Sequence, residues 1–178
     1  VGDINNDGSS DLAAGNSIYF NNGQGGFTNQ FNSDYYLPGL DIKSIAPGNF
    51  DDDGDLDLAV SDSYQIVFVK NNQSVSNQKP TTPVNLSSTK SSNTVTLNWG
   101  AASDDTTPAA SLTYNASVKN GSQFITNGNS LSSGKRVLLN EGNSGLNKFY
   151  KLANLPVGTY TWSVQAIDKS FEPSAFAA

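Results

Sequence analysis

The stretch Asp3-Ile4-Asn5-Asn6-Asp7-Gly8-Ser9-Ser10-Asp11-Leu12-Ala13-Ala14 recurs 46 residues later as Asn49-Phe50-Asp51-Asp52-Asp53-Gly54-Asp55-Leu56-Asp57-Leu58-Ala59-Val60. In both copies oxygen-bearing side chains fall at loop positions 1, 3, 5 and 9, and glycine falls at position 6. A hard cation such as calcium takes roughly 6–8 oxygen ligands and tolerates irregular geometry. Glycine lets the chain reverse sharply, so that donors before and after it face one point. The pattern therefore predicts two calcium sites. Asp3, Asn5, Asp7, Ser9 and Asp11 form the first, and Asn49, Asp51, Asp53, Asp55 and Asp57 the second. Ser9 and Asp55, at position 7, are expected to contribute their backbone carbonyls, while Asp52 and the Asp55 side chain point elsewhere and add only field. Because position 1 of the second copy is Asn49 rather than Asp, that site is expected to bind more weakly. Two copies in register weigh against an acidic turn that holds no metal.

The loops are not EF-hands. That motif closes with a bidentate Glu at position 12, where this chain has Ala14 and Val60. The residues that follow, Ile18-Tyr19-Phe20 and Ile66-Val67-Phe68-Val69, favour strands. The ring must then close with Asp11 or Asp57 at the mouth of a strand. The run Gly2 to Leu12 with its trailing Asn21-Asn22-Gly23-Gln24-Gly25-Gly26-Phe27 resembles the FG-GAP or VCBS repeat, a calcium-loop unit of β-propellers. The run Gly48 to Leu58 resembles it in the loop, and Lys70-Asn71-Asn72-Gln73 is a degraded form of its tail. The resemblance covers residues 1–75 and implies about one and a half blades of a partial β-propeller, where a closed ring needs ~4–8. Missing blades or a neighbouring subunit are expected to cover the open edge. The aromatic stretch Phe31-Asn32-Ser33-Asp34-Tyr35-Tyr36-Leu37-Pro38-Gly39-Leu40 is expected to pack against an adjacent blade.

Composition removes several chemistries. The 178 residues include no Cys and no His, which excludes disulfides, thiolate metal sites, His-ligated zinc and a Ser-His-Asp triad. No apolar run approaches the length of a membrane span, so no membrane insertion is expected. No leader sequence is visible, and Val1 falls inside a repeat, so the chain is expected to be an internal or mature stretch of a longer protein. The formal charge of −6 is uneven: residues 1–78 carry eleven acids and two lysines, and residues 79–178 five acids and eight bases. Eight of those eleven acids lie in the two loops, so the excess reads as ligand charge. Lys135-Arg136 is the only basic doublet of the second half, a solvated surface rather than a nucleic-acid footprint.

The polar, proline-closed stretch 76–82 reads as a linker. Beyond it, Val95-Thr96-Leu97-Asn98-Trp99, Leu112-Thr113-Tyr114-Asn115-Ala116-Ser117-Val118 and Tyr160-Thr161-Trp162-Ser163-Val164-Gln165-Ala166 alternate apolar and polar residues between turn signals, the mark of a β-sandwich. Residues 83–178 resemble a fibronectin type III domain of the kind common in surface proteins of the Bacteroidota. In that resemblance Pro83-Val84-Asn85-Leu86 opens the first strand, Trp99 is the strand-B tryptophan, Tyr160 is the corner tyrosine, and Ser174-Ala175-Phe176 closes the last strand. Trp99, Tyr114, Tyr160 and Trp162 are expected in the core rather than on a sugar-stacking face, and Asp104-Asp105 in a B–C loop. The sequons Asn85-Leu86-Ser87 and Asn115-Ala116-Ser117 are too short to mean much.

The expected fold is thus all-β, a partial propeller followed by a fibronectin type III sandwich. The expected role is a non-catalytic, calcium-stabilised binding or adhesion module, secreted or at the cell surface, with an extracellular protein or polysaccharide as ligand. The alternatives are an accessory stalk or targeting arm of a larger extracellular enzyme, and a structural spacer.

Overall fold

Short runs of β-branched and aromatic residues, broken every few positions by Gly, Asn or Asp, fold into strands, and the described residues contain no helix. The computed structural model describes residues 1–30, 41–72 and 76–178. The aromatic stretch 31–40 and residues 73–75 lie outside the described residues. The chain divides into two compact units, Val1–Gln78 and Lys79–Ala178.

In the first unit β1 (Leu12–Ala14), β2 (Ser17–Asn21) and β3 (Phe27–Gln30) form one antiparallel sheet, and β4 (Ser44–Gly48), β5 (Asp57–Ser61) and β6 (Ile66–Val69) form another. The repeat is structural as well as sequential. Gly2 bridges Asp11 as Gly48 pairs with Asp57, and Leu12 faces Tyr19 as Leu58 faces Val69. The spacing between copies grows from 46 at Leu12/Leu58 to 50 at Tyr19/Val69, so the second hairpin is four residues longer, two of them in its turn. Asp62 holds that longer turn by accepting the N–H groups of Tyr64 and Gln65. Among the described residues the apolar core comprises buried Ile4, Ile18, Leu58 and Val60, with Ala13, Phe20, Ile42, Ile45 and Val69 packed against them. On the outer face of β6, Ile66 and Phe68 stay exposed, and Phe50 lies edge-on to Phe68.

In the second unit β7 (Ser87–Ser91), β8 (Thr94–Asn98) and β11 (Phe149–Ala153) form one sheet in the order β11-β8-β7. β9 (Thr113–Asn120), β10 (Gln123–Thr126) and β12 (Tyr160–Ile167) form the other, ordered β10-β9-β12. Leu97, Trp99 and Ala102 meet Leu112, Tyr114, Ala116, Val118, Val164 and Ala166 in one core. Trp99 is its hub, with ring centroids 5.8 Å from Tyr114 and 6.3 Å from Trp162. The Tyr160 hydroxyl donates to the Pro156 carbonyl at 2.9 Å, as the corner reading expected. Asp104 accepts the Thr107 N–H and caps its own loop.

Four features depart from the sequence reading. No strand forms over residues 83–86, because Pro83 has no N–H to give and Asn85 adopts φ 56°; the first strand is the exposed β7 instead. Residues 173–177 form no strand; they meet β12 through isolated bridges at Pro173 and Ala177 and through hydrogen bonds of Ser174 with Gln165 and Ala166. The expected linker is tied down on both sides, since Asn77 donates its N–H to Asp55 and Thr81 exchanges hydrogen bonds with Ser103. β9 is buried on both faces, not one. Asn115 and Ser117 are both buried; Asn115 donates to Asn127 and Ser130 of the irregular segment 127–147 and to Gln165 of β12, so its sequon is closed to modification. Arg136, expected on a solvated surface, is instead buried and pins that segment by donating to the carbonyls of Gly128 and Asn140 and to Ser130 Oγ, and burial pulls its pKa down.

Candidate metal centre

The two loops trace the same path. Position 4 is left-handed in each (Asn6 φ 57°, Asp52 φ 63°), and so is the glycine at position 6 (Gly8 φ 86°, Gly54 φ 100°). Asn and Asp tolerate that backbone better than other L-residues. Asp52 therefore has a local task, setting the turn, that the reading of it as bystander charge overlooked.

The same hydrogen bonds recur on this frame. The position-5 N–H goes to the position-3 side chain (Asp7 to Asn5, Asp53 to Asp51), and the position-7 N–H goes to position 5 (Ser9 to Asp7, Asp55 to Asp53). Position 9 is a clasp. Asp11 Oδ2 accepts the Ile4 N–H at 2.8 Å and its Oδ1 the Asn21 N–H at 2.9 Å. Asp57 repeats this with the Phe50 and Asn71 N–H groups at 2.8 and 2.7 Å. Each position-9 carboxylate thus ties its loop to the end of a neighbouring strand. Each oxygen has two lone pairs, so the clasp leaves acceptor capacity.

Asp3 stands at the base of the first loop, fully buried, accepting the Asp7 and Gly8 N–H groups at 3.0 and 2.7 Å. Burial pushes its carboxyl up to about 6, against the pull of those two N–H groups, and the charges of Asp7 and Asp11 push the same way. Asp11 is also raised by burial. In the second loop the Lys70 ammonium contacts Asp51 Oδ2 and lies 3.7 Å from Asp53 Oδ2. It holds the Asp51 carboxyl below its usual range and is itself raised. A polar cleft of about 260 Å³, lined by Asp53, Asp55, Lys70, Asn71, Asn72 and Ser76, opens beside this loop.

The structure brings each predicted donor set onto one loop, with one reassignment. The Asp55 side chain is not idle. It is buried, and its Oδ1 accepts Asn6 Nδ2 of the first loop at 2.8 Å and the Asn77 N–H at 2.9 Å. Asn71 adds a second tether, its amide donating to the carbonyls of Ile4 and Leu56 at 2.8 and 3.2 Å. Sequence reasoning missed Asn6, Asn71 and Asn77. The partial signal for Asn71 was its counterpart Asn21, whose amide likewise donates to the position-8 carbonyl of its own loop, at Ser10.

Among the described residues no three carboxylates converge closely enough to hold an ion unaided. The donor chemistry nevertheless suits a hard cation: hard oxygens only, two buried carboxyls raised by desolvation in the first loop, and two carboxylates turned on one ammonium in the second. Asn5 Nδ2 donates to Asp7 Oδ2 at 2.9 Å, so the loop's own amide groups occupy part of the donor set. No protein-family model matches this chain, and no curated protein matches it.

Proposed function

We propose that residues 1–78 are a calcium-stabilised unit of FG-GAP or VCBS type, carried beside a fibronectin type III-like sandwich in a non-catalytic extracellular binding or adhesion module. One observation carries the reading: a 46-residue sequence repeat reproduced as a repeated loop trace, left-handed at the same two positions and clasped by the same carboxylate. Calcium, when bound, supplies the positive charge that a loop of crowded carboxylates otherwise lacks.

The residues divide the work. Asp3, Asn5, Asp7, Asp11 and the Ser9 carbonyl would hold the first ion, and Asn49, Asp51, Asp53, Asp57 and the Asp55 carbonyl the second. Asp11 and Asp57 hold each loop to its sheet while lending it charge. The Asn6–Asp55 bond and the Asn71 amide couple the loops, so order in one is passed to the other. The deciding experiment is a thermal melt in calcium and in chelator, with a calorimetric count of bound ions. At calcium 100-fold above its Kd, a bound site adds ~2.7 kcal/mol. A calcium-dependent upward shift with bound ions supports the reading; a calcium-blind melt with no bound ion refutes it.

A further inference from the structure

The two loops differ in how they meet a cation, and the difference lies in one residue outside both. By strand register the residue after Tyr19 in the first copy, Phe20, corresponds to the residue after Val69 in the second, Lys70. Phe20 packs against the apolar core, whereas Lys70 reaches back over its loop to Asp51 and Asp53, at positions 3 and 5. Position 3 differs in step. Asn5 satisfies Asp7 with its own amide, while Asp51 and Asp53 are two carboxylates whose mutual repulsion Lys70 relieves. We propose that Lys70 is a built-in counter-cation of the second loop, so that ion capture there is an exchange in which the ammonium leaves Asp51 and Asp53 as the metal enters. Lys70 thereby lowers the affinity of the second site relative to the first. This rests on the calcium reading above.

The ammonium is well suited to leaving. Its side chain is 56% exposed, and the polar cleft beside it gives it room to swing aside without unfolding anything. Lysine is a strongly hydrated point charge on a flexible stem, so its release into water is cheap compared with the loss of a buried pair. Asn49 at position 1 weakens the same loop by a separate route, and the test must separate the two.

Calcium titration calorimetry on the full 178-residue chain does so with Lys70→Met, Lys70→Arg and Asp7→Asn, singly and with Lys70→Met added to Asp7→Asn. The unmodified chain should show a tighter and a weaker event. Lys70→Met should tighten the weaker one roughly tenfold, the scale of removing one nearby like charge at a partly screened site, and Lys70→Arg should leave it unchanged. Asp7→Asn should abolish the tighter event, and adding Lys70→Met should tighten the event that remains. Two events unmoved by Lys70→Met overturn the exchange but leave the calcium reading standing. No binding in any variant overturns both.

Discussion

In residues 79–178 nine buried apolar side chains meet between two sheets, and the eleven buried polar side chains are neutral apart from Arg136 and Asp168. Among the described residues of 1–78, Ile4, Ile18, Leu58 and Val60 form the buried apolar cluster and Leu56 is buried in the second loop. Four carboxylates, Asp3, Asp11, Asp55 and Asp57, are buried there together with Asn6, Asn71 and Asn77. The sandwich is held by area removed from water, which is non-directional and indifferent to ions. The repeat unit is held by directed hydrogen bonds from backbone N–H groups to carboxylates, whose charge must be balanced. On the calcium reading proposed above, the same chain contains one half that carries its stability internally and one whose stability depends on the solution around it. Both tryptophans, Trp99 and Trp162, lie in the first kind, so their fluorescence follows the sandwich alone.

Substitution at the two centres should break this comparison apart, with the largest effect in the sandwich. Trp99→Ala removes the hub of the aromatic cluster and should cost about 4 kcal/mol, seen as early loss of the Trp162 signal in denaturant. The response of the repeat half to calcium should be unchanged. Asp57→Ala strips the acceptor from two backbone N–H groups, one of them the buried Asn71 amide, and should cost about 3 kcal/mol in chelator, measured by circular dichroism. Here tryptophan fluorescence should not move. Asp57→Asn should recover part of the loss, because one acceptor oxygen remains.

Acidification should sharpen the comparison by reversing sign with calcium. The Asp3 carboxyl is raised from 3.8 to about 6 in the folded protein. The folded, ion-free state therefore binds more protons than the unfolded state between those values, and its stability falls as pH rises through 6. In chelator the repeat half should gain about 1.3 kcal/mol between pH 7 and pH 5, read as a higher melting temperature. In saturating calcium the same change should lower it, because protons then compete with the ion. The sandwich should show neither trend. The smallest effect is expected from Tyr160→Phe, which deletes one exposed hydrogen bond to Pro156 and should cost about 0.5 kcal/mol, confined to the tryptophan-monitored transition.

The loops and most core strands were legible because spacing alone carries them. Asp at position 9 before an apolar run, and alternation through Val95–Trp99 and Tyr160–Ala166, depend on residues close in sequence. What stayed hidden is long-range or polar. The Asn6–Asp55 bond spans 49 residues and the Asn71–Ile4 bond 67, and nothing about an asparagine in a turn-rich stretch announces its partner. Asn115 and Ser117 read as solvent-facing because they alternate with apolar residues, yet both are buried, Asn115 under the segment 127–147. β7 is Ser-Ser-Thr-Lys-Ser, exposed throughout, and has no apolar period to find. Lys70 reads as the first residue of a degraded turn, and only the β5–β6 register turns it toward Asp51.

Native-state hydrogen exchange in calcium and in chelator, resolved by residue, tests the central claim most directly. The account predicts that calcium slows exchange at the loop amides of Ile4, Asp7, Gly8, Phe50 and Asp53 and at the clasped amides of Asn21 and Asn71. Amides of β8, β9 and β12 should exchange alike in both conditions. Equal exchange throughout, or calcium protection centred on the sandwich, would contradict it.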